Sequence, residues 1–159
     1  MQSRLCLALV LLLGLTPPGS ASSVSRTLSA DGACEKLVVA DEDMTAECGT
    51  ALIQLHYEDG RVSLSAGTGG QSFFGLGPPE RVLAFGGQGT GEAWTDHPVD
   101  RVTAADDAGN TLLFSVPASG TCRYEQALRG FVVTCNAEDD AGRIHQLTYR
   151  TDGWPGFEF

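Results

Sequence analysis

Three histidines are the first side chains to consider for catalysis or metal binding. His56, His97 and His145 do not occur in the His-x-His or His-Glu-x-x-His spacings that bring two imidazoles to one metal ion. His56 falls on the polar face of a predicted hairpin, and His97 precedes Pro98 in a predicted loop. We therefore expect all three to be surface histidines, and the sequence predicts no metal site and no cofactor.

Serines and carboxylates give no catalytic motif. The stretch from Gly70 to Gly75 has one residue too many for the Gly-x-Ser-x-Gly elbow, and no strand–turn–helix pattern surrounds it. Acidic clusters at 41–43, 106–107 and 138–140 fall at predicted turns and lack the Asp-x-Asp-x-Asp-Gly spacing of a calcium loop. We interpret them as solvated turn tips and predict no catalytic residue. A hydrolase built from scattered carboxylates or a histidine remains an alternative, because sequence cannot show two carboxylates sharing a cleft.

Aromatic side chains are the clearest hint of a binding surface. Trp94 lies in a loop-like stretch, and the chain ends in Trp154-Pro155-Gly156-Phe157-Glu158-Phe159. Large aromatic residues on loops anchor sugars or protein partners. Trp94, Trp154, Phe157 and Phe159 are therefore candidate binding residues. The interpretation that we favour is that they plug the open ends of a β core, because each carries a large apolar area.

Four cysteines, Cys34, Cys48, Cys122 and Cys135, remain once Cys6 is set aside with the N-terminal apolar run. An even number in an exported chain predicts two disulfides, and four cysteines allow three pairings. The spacing favours Cys34–Cys48 and Cys122–Cys135, each bracketing a hairpin. A four-residue turn at 127–130 would place Cys122 opposite Cys135. A zinc site is disfavoured because no Cys-x-x-Cys occurs.

Turn signals predict the strands that must position these residues. Asp59-Gly60 is typical of a two-residue hairpin turn, which would pair Tyr57 with Val62 and Leu55 with Leu64. Side chains alternate along a strand, so one face would be apolar and carry Ile53, Leu55, Tyr57, Val62, Leu64 and Ala66. The other face would be polar and carry Gln54, His56, Ser63 and Ser65.

Further turns are predicted at 107–110 and 139–142, and short strands at 71–74 and 81–85. The apolar spacing is close to two throughout and no helix is indicated. The sequence therefore predicts an all-β fold: an antiparallel sandwich or small barrel of eight to ten short strands, stapled by two disulfides.

The N-terminus predicts export. Arg4, an apolar run over 5–15 and small residues at 19–21 form the three parts of a signal peptide, and the run is too short for a transmembrane anchor. We expect residues 1–21 to be removed, a flexible segment over 22–30 and a single β domain over 31–159. Loss of Arg4 leaves nine basic against 20 acidic residues, a net charge of −11. Such a charge repels nucleic acid and attracts cationic partners.

These observations favour a non-enzymatic binding module in the periplasm or outside the cell. The expected partner is a cationic protein, such as a basic secreted lysozyme that it would inhibit, or a component of the cell envelope. Two alternatives stay open: a small exported hydrolase, and a structural subunit that assembles through an unpaired sheet edge.

Overall fold

A computed structural model describes residues 22–68, 81–106, 111–153 and 157–158. Its strands are β1 (Val24–Val39), β2 (Glu42–Asp43), β3 (Cys48–Tyr57), β4 (Arg61–Thr68), β5 (Arg81–Gln88), β6 (His97–Asp106), β7 (Thr111–Gln126), β8 (Phe131–Asp139), β9 (Ile144–Thr151) and β10 (Phe157–Glu158). One 3-10 turn, Thr45–Glu47, precedes β3. No helix in this part of the chain is long and apolar enough to cross a bilayer. The all-β prediction is confirmed.

The long strand β1 closes the sheet into a barrel. Its first half pairs with β3 as far as Asp31, and its second half, from Gly32 to Val38, pairs with β9. From β3 to β9 each strand is antiparallel to the next, so eight strands form a closed barrel to which β10 adds by pairing with β1. Because the sheet closes, the fold is a barrel and not the sandwich that the sequence also allowed. The segment 22–30, expected to be flexible, enters β1 at Val24, and Leu28 and Ala30 are buried.

Side chains fill the interior. The largest fully buried ones include Tyr149, Phe85, Leu52, Leu64 and Leu147, which come from four strands around the barrel. Eight strands enclose a space just wide enough for such side chains. The core therefore forms the centre of the barrel, and the ends and the outer face are left for recognition.

The β3–β4 hairpin corrects the predicted register. Gly60 alone takes a positive φ (82°), and Leu52 pairs with Ala66, Gln54 with Leu64 and His56 with Val62. The loop therefore has three residues with a left-handed glycine at its end, instead of the two left-handed positions of a type I′ turn. A slip of one residue exchanges the faces of a strand. Gln54 and His56 are consequently buried, whereas Ile53, Leu55 and Tyr57 lie on the outer face and are half-buried.

The β7–β8 hairpin confirms its predicted register. Gln126 pairs with Phe131, Tyr124 with Val133 and Cys122 with Cys135, and Gly130 has a φ of 77°. Both predicted disulfides, Cys34–Cys48 and Cys122–Cys135, are present.

The remaining turns bracket strands as expected. β6 and β7 flank 107–110, which lie outside the described residues, and the turn after Asp139 joins β8 to β9. The 81–85 strand extends to Gln88, while 71–74 lies outside the described residues. The prediction that the acidic residues 41–43 all lie at a turn is correct only for Asp41. The turn is at Ala40-Asp41, and Glu42–Asp43 form β2.

Candidate functional site

Trp94 closes one end of the barrel, where the β3–β4, β5–β6 and β7–β8 turns meet. Its indole is half-buried, with ring centroids 5.0 Å from Phe131 and 6.3 Å from Tyr124. The residue has a positive φ (54°), and its backbone N–H donates to Oε1 of Gln54 at 2.9 Å. Trp94 thus packs as a plug, the interpretation that its large apolar area favoured.

A buried polar chain lies beneath this plug. Nε2 of Gln54 donates to the hydroxyl of Tyr124 at 3.1 Å, and Oε1 of Gln54 accepts from Nε2 of His56 at 3.1 Å. Each polar atom of the Gln54 amide therefore has a partner, which offsets the cost of burying it. Burial raises the pKa of Tyr124, so its hydroxyl stays neutral and accepts the bond from Gln54.

Two histidines at this end are held neutral. Burial lowers the pKa of His56, and the charges of Arg26 and His97 lower it further. Burial also lowers the pKa of His97, and the hydrogen bond between its Nδ1 and the Thr95 carbonyl offsets only part of that effect. In the unfolded chain both would titrate near their ordinary value of about 6.5.

We expect stability to fall as the pH decreases below about 6.5, because the unfolded state then binds protons that the folded state excludes. Thermal unfolding followed by circular dichroism should show a loss of several degrees between about pH 7 and pH 5. The double variant His56→Gln, His97→Gln removes both titrating rings, and the first glutamine can still donate to Gln54. Its melting temperature should vary less over this interval. An equal slope in the two proteins would contradict the assignment.

The opposite end carries a second buried polar cluster, centred on Asp139. The side chain of Asp139 is 1% exposed and that of His145 is fully buried. Oδ2 of Asp139 accepts from Nε of Arg143 at 2.8 Å and from Nε2 of His145 at 3.2 Å. Nδ1 of His145 accepts from the backbone N–H of Ala40 at 3.3 Å. The cluster therefore connects the β8–β9 turn to the β1–β2 turn.

Asp139 remains ionised in this setting. Burial by itself would raise its pKa, but donors from the Arg143 backbone, His145, Ala141 and the Arg143 side chain outweigh that effect and hold the pKa at about 2. The prediction that the 138–140 carboxylates are all solvated turn tips is therefore wrong for Asp139. The missed signal is its place at the first position of the turn, where Asp side chains often bind backbone N–H groups ahead of them.

Exposed carboxylates surround this cluster. We call Asp41, Glu42, Asp43, Glu138 and Asp140, all of which are exposed, the acidic edge. The β1–β2 and β8–β9 hairpins that carry it are bonded together: Asp41 N donates to Ile144 O, and Ile144 N donates to Oδ1 of Asp41, each at 3.0 Å. Arg143 pairs with Asp139 at 2.8 Å, so its charge is already compensated. Hydrogen bonds from the Thr45 side chain and backbone lower the pKa of Asp43, and the positive charge of Lys36 lowers it slightly further.

No relative supplies a function. No protein-family model matches the chain, and no curated protein or solved structure is significantly similar to it.

The prediction of surface histidines is wrong for all three residues. His56, His97 and His145 are 5%, 3% and 0% exposed, because the register slip turns His56 inward and barrel closure covers the other two. A general base must reach the proton that it removes, and rings this buried do not reach a substrate. In the described part of the chain no group of three or more His, Cys, Asp or Glu side chains is arranged to hold a metal ion.

The other candidate binding residues are only partly placed. Phe157 lies in β10, where its backbone pairs with Ser29. Trp154 and Phe159 lie outside the described residues. The structure therefore brings Trp94 together with Tyr124 and Phe131.

Proposed function

We propose that this chain is exported and acts in the periplasm or outside the cell as a non-enzymatic module that binds a cationic protein. The acidic edge is the observation that carries the proposal. Five exposed carboxylates lie in two hairpins whose turns are bonded to each other and anchored from below by Asp139 and His145. A surface that is already ordered before binding loses little conformational entropy on association. Little of the favourable electrostatic free energy of binding is therefore offset.

Export is supported by two independent features. The N-terminal pattern is that of a signal peptide, and disulfides form and persist in oxidising compartments. Fixed negative charge steers a cationic partner into contact and accelerates association. The chain pairs β1 with both β3 and β9, so the described strands offer little support for assembly through a long unpaired sheet edge.

A charge-reversal series tests the proposal with a basic lysozyme as the probe. The hydrogen bonds that hold the two turns together come from Asp41, Ile144, Asp139 and His145, so Glu42→Lys, Glu138→Lys, Asp140→Lys should leave the scaffold intact. The association rate constant, measured on immobilised protein, should fall about tenfold or more in this triple variant. For the wild type it should also fall steeply between about 0.1 M and about 1 M salt, where the Debye length shortens from about 10 Å to about 3 Å.

The matched control reverses three exposed carboxylates at the opposite end, Glu58→Lys, Glu92→Lys and Glu125→Lys. It changes the net charge by the same amount. We expect it to retain most of the association rate. Equal losses in both triple variants would show that only net charge matters, and the acidic edge would then not be the binding surface. Absence of salt-sensitive binding to lysozyme and to proteins of an envelope extract would overturn the cationic-partner proposal.

A further inference from the structure

A groove of about 390 Å³ runs over the outer face of β4, β5 and β6. Its floor is low because small residues face outward in adjacent strands: Ser63 pairs with Gly86, and Ala84 pairs with Thr103. Longer side chains rise around this floor: Tyr57 and Arg101 line the groove, and the Arg61 side chain crosses β5 beside Gly86 to reach Asp100 on β6. Small residues in the centre and large ones at the flanks make this part of the barrel wall concave.

The two arginines of the groove are held differently. Arg61 makes a bidentate pair with Asp100, with Nη1–Oδ2 at 3.0 Å and Nη2–Oδ1 at 2.5 Å. Its charge is compensated and its guanidinium plane is fixed. Arg101 is exposed, and its hydrogen-bond partner among the described residues is the neutral hydroxyl of Ser115 at 3.2 Å. Arg101 therefore presents an uncompensated positive charge in a protein whose net charge is strongly negative.

Hydroxyl groups and an aromatic ring complete the lining. Thr103 and Ser115 share a hydrogen bond of 3.1 Å beside Arg101, and Ser63 lies on the floor. Tyr57 is half-buried, so part of its ring remains accessible along the wall. The Arg61–Asp100 pair adds charged donors and acceptors at fixed positions. The groove thus combines the Tyr57 ring, hydroxyl groups, the exposed guanidinium of Arg101 and the exposed carboxylate of Asp59.

We propose that this groove binds a saccharide that carries a carboxylate. The guanidinium of Arg101 matches a planar carboxylate, which it can hold through two parallel hydrogen bonds. Sugar hydroxyls match the Ser63 and Thr103 hydroxyls that line the groove, and the apolar side of a sugar ring packs on Tyr57. A volume of about 390 Å³ is within the range of small-ligand sites. This site is on the barrel wall and is independent of the acidic edge.

Gly86 allows a steric test. A Cβ atom built there would meet its nearest neighbours, the Arg101 carbonyl oxygen and Nη2 of Arg61, at 3.8 Å, which is ordinary contact distance. Gly86→Ala should therefore fold normally while adding a methyl group to the floor. The adjacent Gly87 differs, because a Cβ there would overlap the carbonyl oxygen of Pro98. Gly86 is thus the position that can be filled without disturbing the barrel.

Titration calorimetry with a trimer of galacturonic acid and a trimer of galactose provides the experiment. The wild type should bind the acidic trimer saturably and at least about tenfold more tightly than the neutral one. Arg101→Gln should weaken binding of the acidic trimer about tenfold or more and leave the neutral trimer nearly unchanged. Gly86→Ala should weaken both. Arg123→Gln, which removes an exposed arginine on β7 outside the groove, should bind like the wild type.

The outcomes separate this proposal from the previous one. No saturable binding of the acidic trimer, equal affinity for both trimers, or an unchanged affinity in Arg101→Gln would overturn the saccharide site. The triple variant Glu42→Lys, Glu138→Lys, Asp140→Lys should bind the acidic trimer at least as well as the wild type, because none of the three residues lines the groove. Its effect on lysozyme binding tests the acidic edge alone.

Discussion

Replacing Cys122 and Cys135 together by alanine should lower the free energy of unfolding by about 4 kcal/mol. The bridge joins residues 13 positions apart, and removing a loop of this size costs about 3 kcal/mol in the chain-entropy model. Both cysteines are fully buried and belong to the hydrophobic core, so lost sulfur contacts should cost about 1 kcal/mol more.

The second disulfide is the matched comparison. Cys34 and Cys48 are 14 positions apart, so the entropic cost of removing their bridge is nearly the same, about 3 kcal/mol. They are half-buried at the edge of the core, so the packing loss should be smaller. Urea unfolding of both double alanine variants measures the difference. A larger loss of unfolding free energy in Cys34→Ala, Cys48→Ala than in Cys122→Ala, Cys135→Ala would show that burial of the cysteines does not determine which disulfide stabilises more.

Replacing Asp139 by asparagine should lower the melting temperature by on the order of 10 °C. The carboxylate accepts four hydrogen bonds, two from the Ala141 and Arg143 backbone N–H groups and two from the Arg143 and His145 side chains. An asparagine amide presents donors where one of these oxygens accepted, so it faces other donors. It also leaves Arg143 without its ion-pair partner.

The pH dependence follows from the pKa of about 2 for Asp139, which is lower than the value of about 3.9 for an unfolded aspartate. A carboxyl with a lowered folded-state pKa stabilises the fold above about pH 4, and that contribution is lost as the pH falls towards 2. The gap in melting temperature between the wild type and Asp139→Asn should therefore be full at neutral pH and shrink below about pH 4.

The adjacent Asp140→Asn serves as the control for this prediction. Asp140 is exposed and lies one residue further along the same turn. Its replacement should change the melting temperature little at any pH, because a solvated carboxylate has no folded-state partner to lose. If Asp139→Asn changed the melting temperature as little as Asp140→Asn does, the hydrogen bonds of the buried cluster would not be what holds the two turns together.

Much of the fold was predictable because local chemistry decides it. The period-two pattern indicates strands, and Gly130 with the paired cysteines specifies the β7–β8 register that the structure confirms. At the β3–β4 hairpin the predicted strand register is wrong by one residue. Asp59-Gly60 suits a two-residue turn as well as a three-residue turn ending in glycine, and the face carrying Gln54 and His56 depends on which one forms.

The sequence by itself therefore determined the all-β class, both disulfides, the turns at 59–60, 127–130 and 139–142 and the strong negative charge, because each depends on composition or on residues close in the chain. Only the tertiary structure decided that β1 closes the sheet by pairing with β9, that three histidines and Asp139 lie inside, and that Arg61 and Arg101 share one groove. The physical reason is that burial and proximity across a barrel depend on strand register and closure. These are collective properties of residues far apart in the chain.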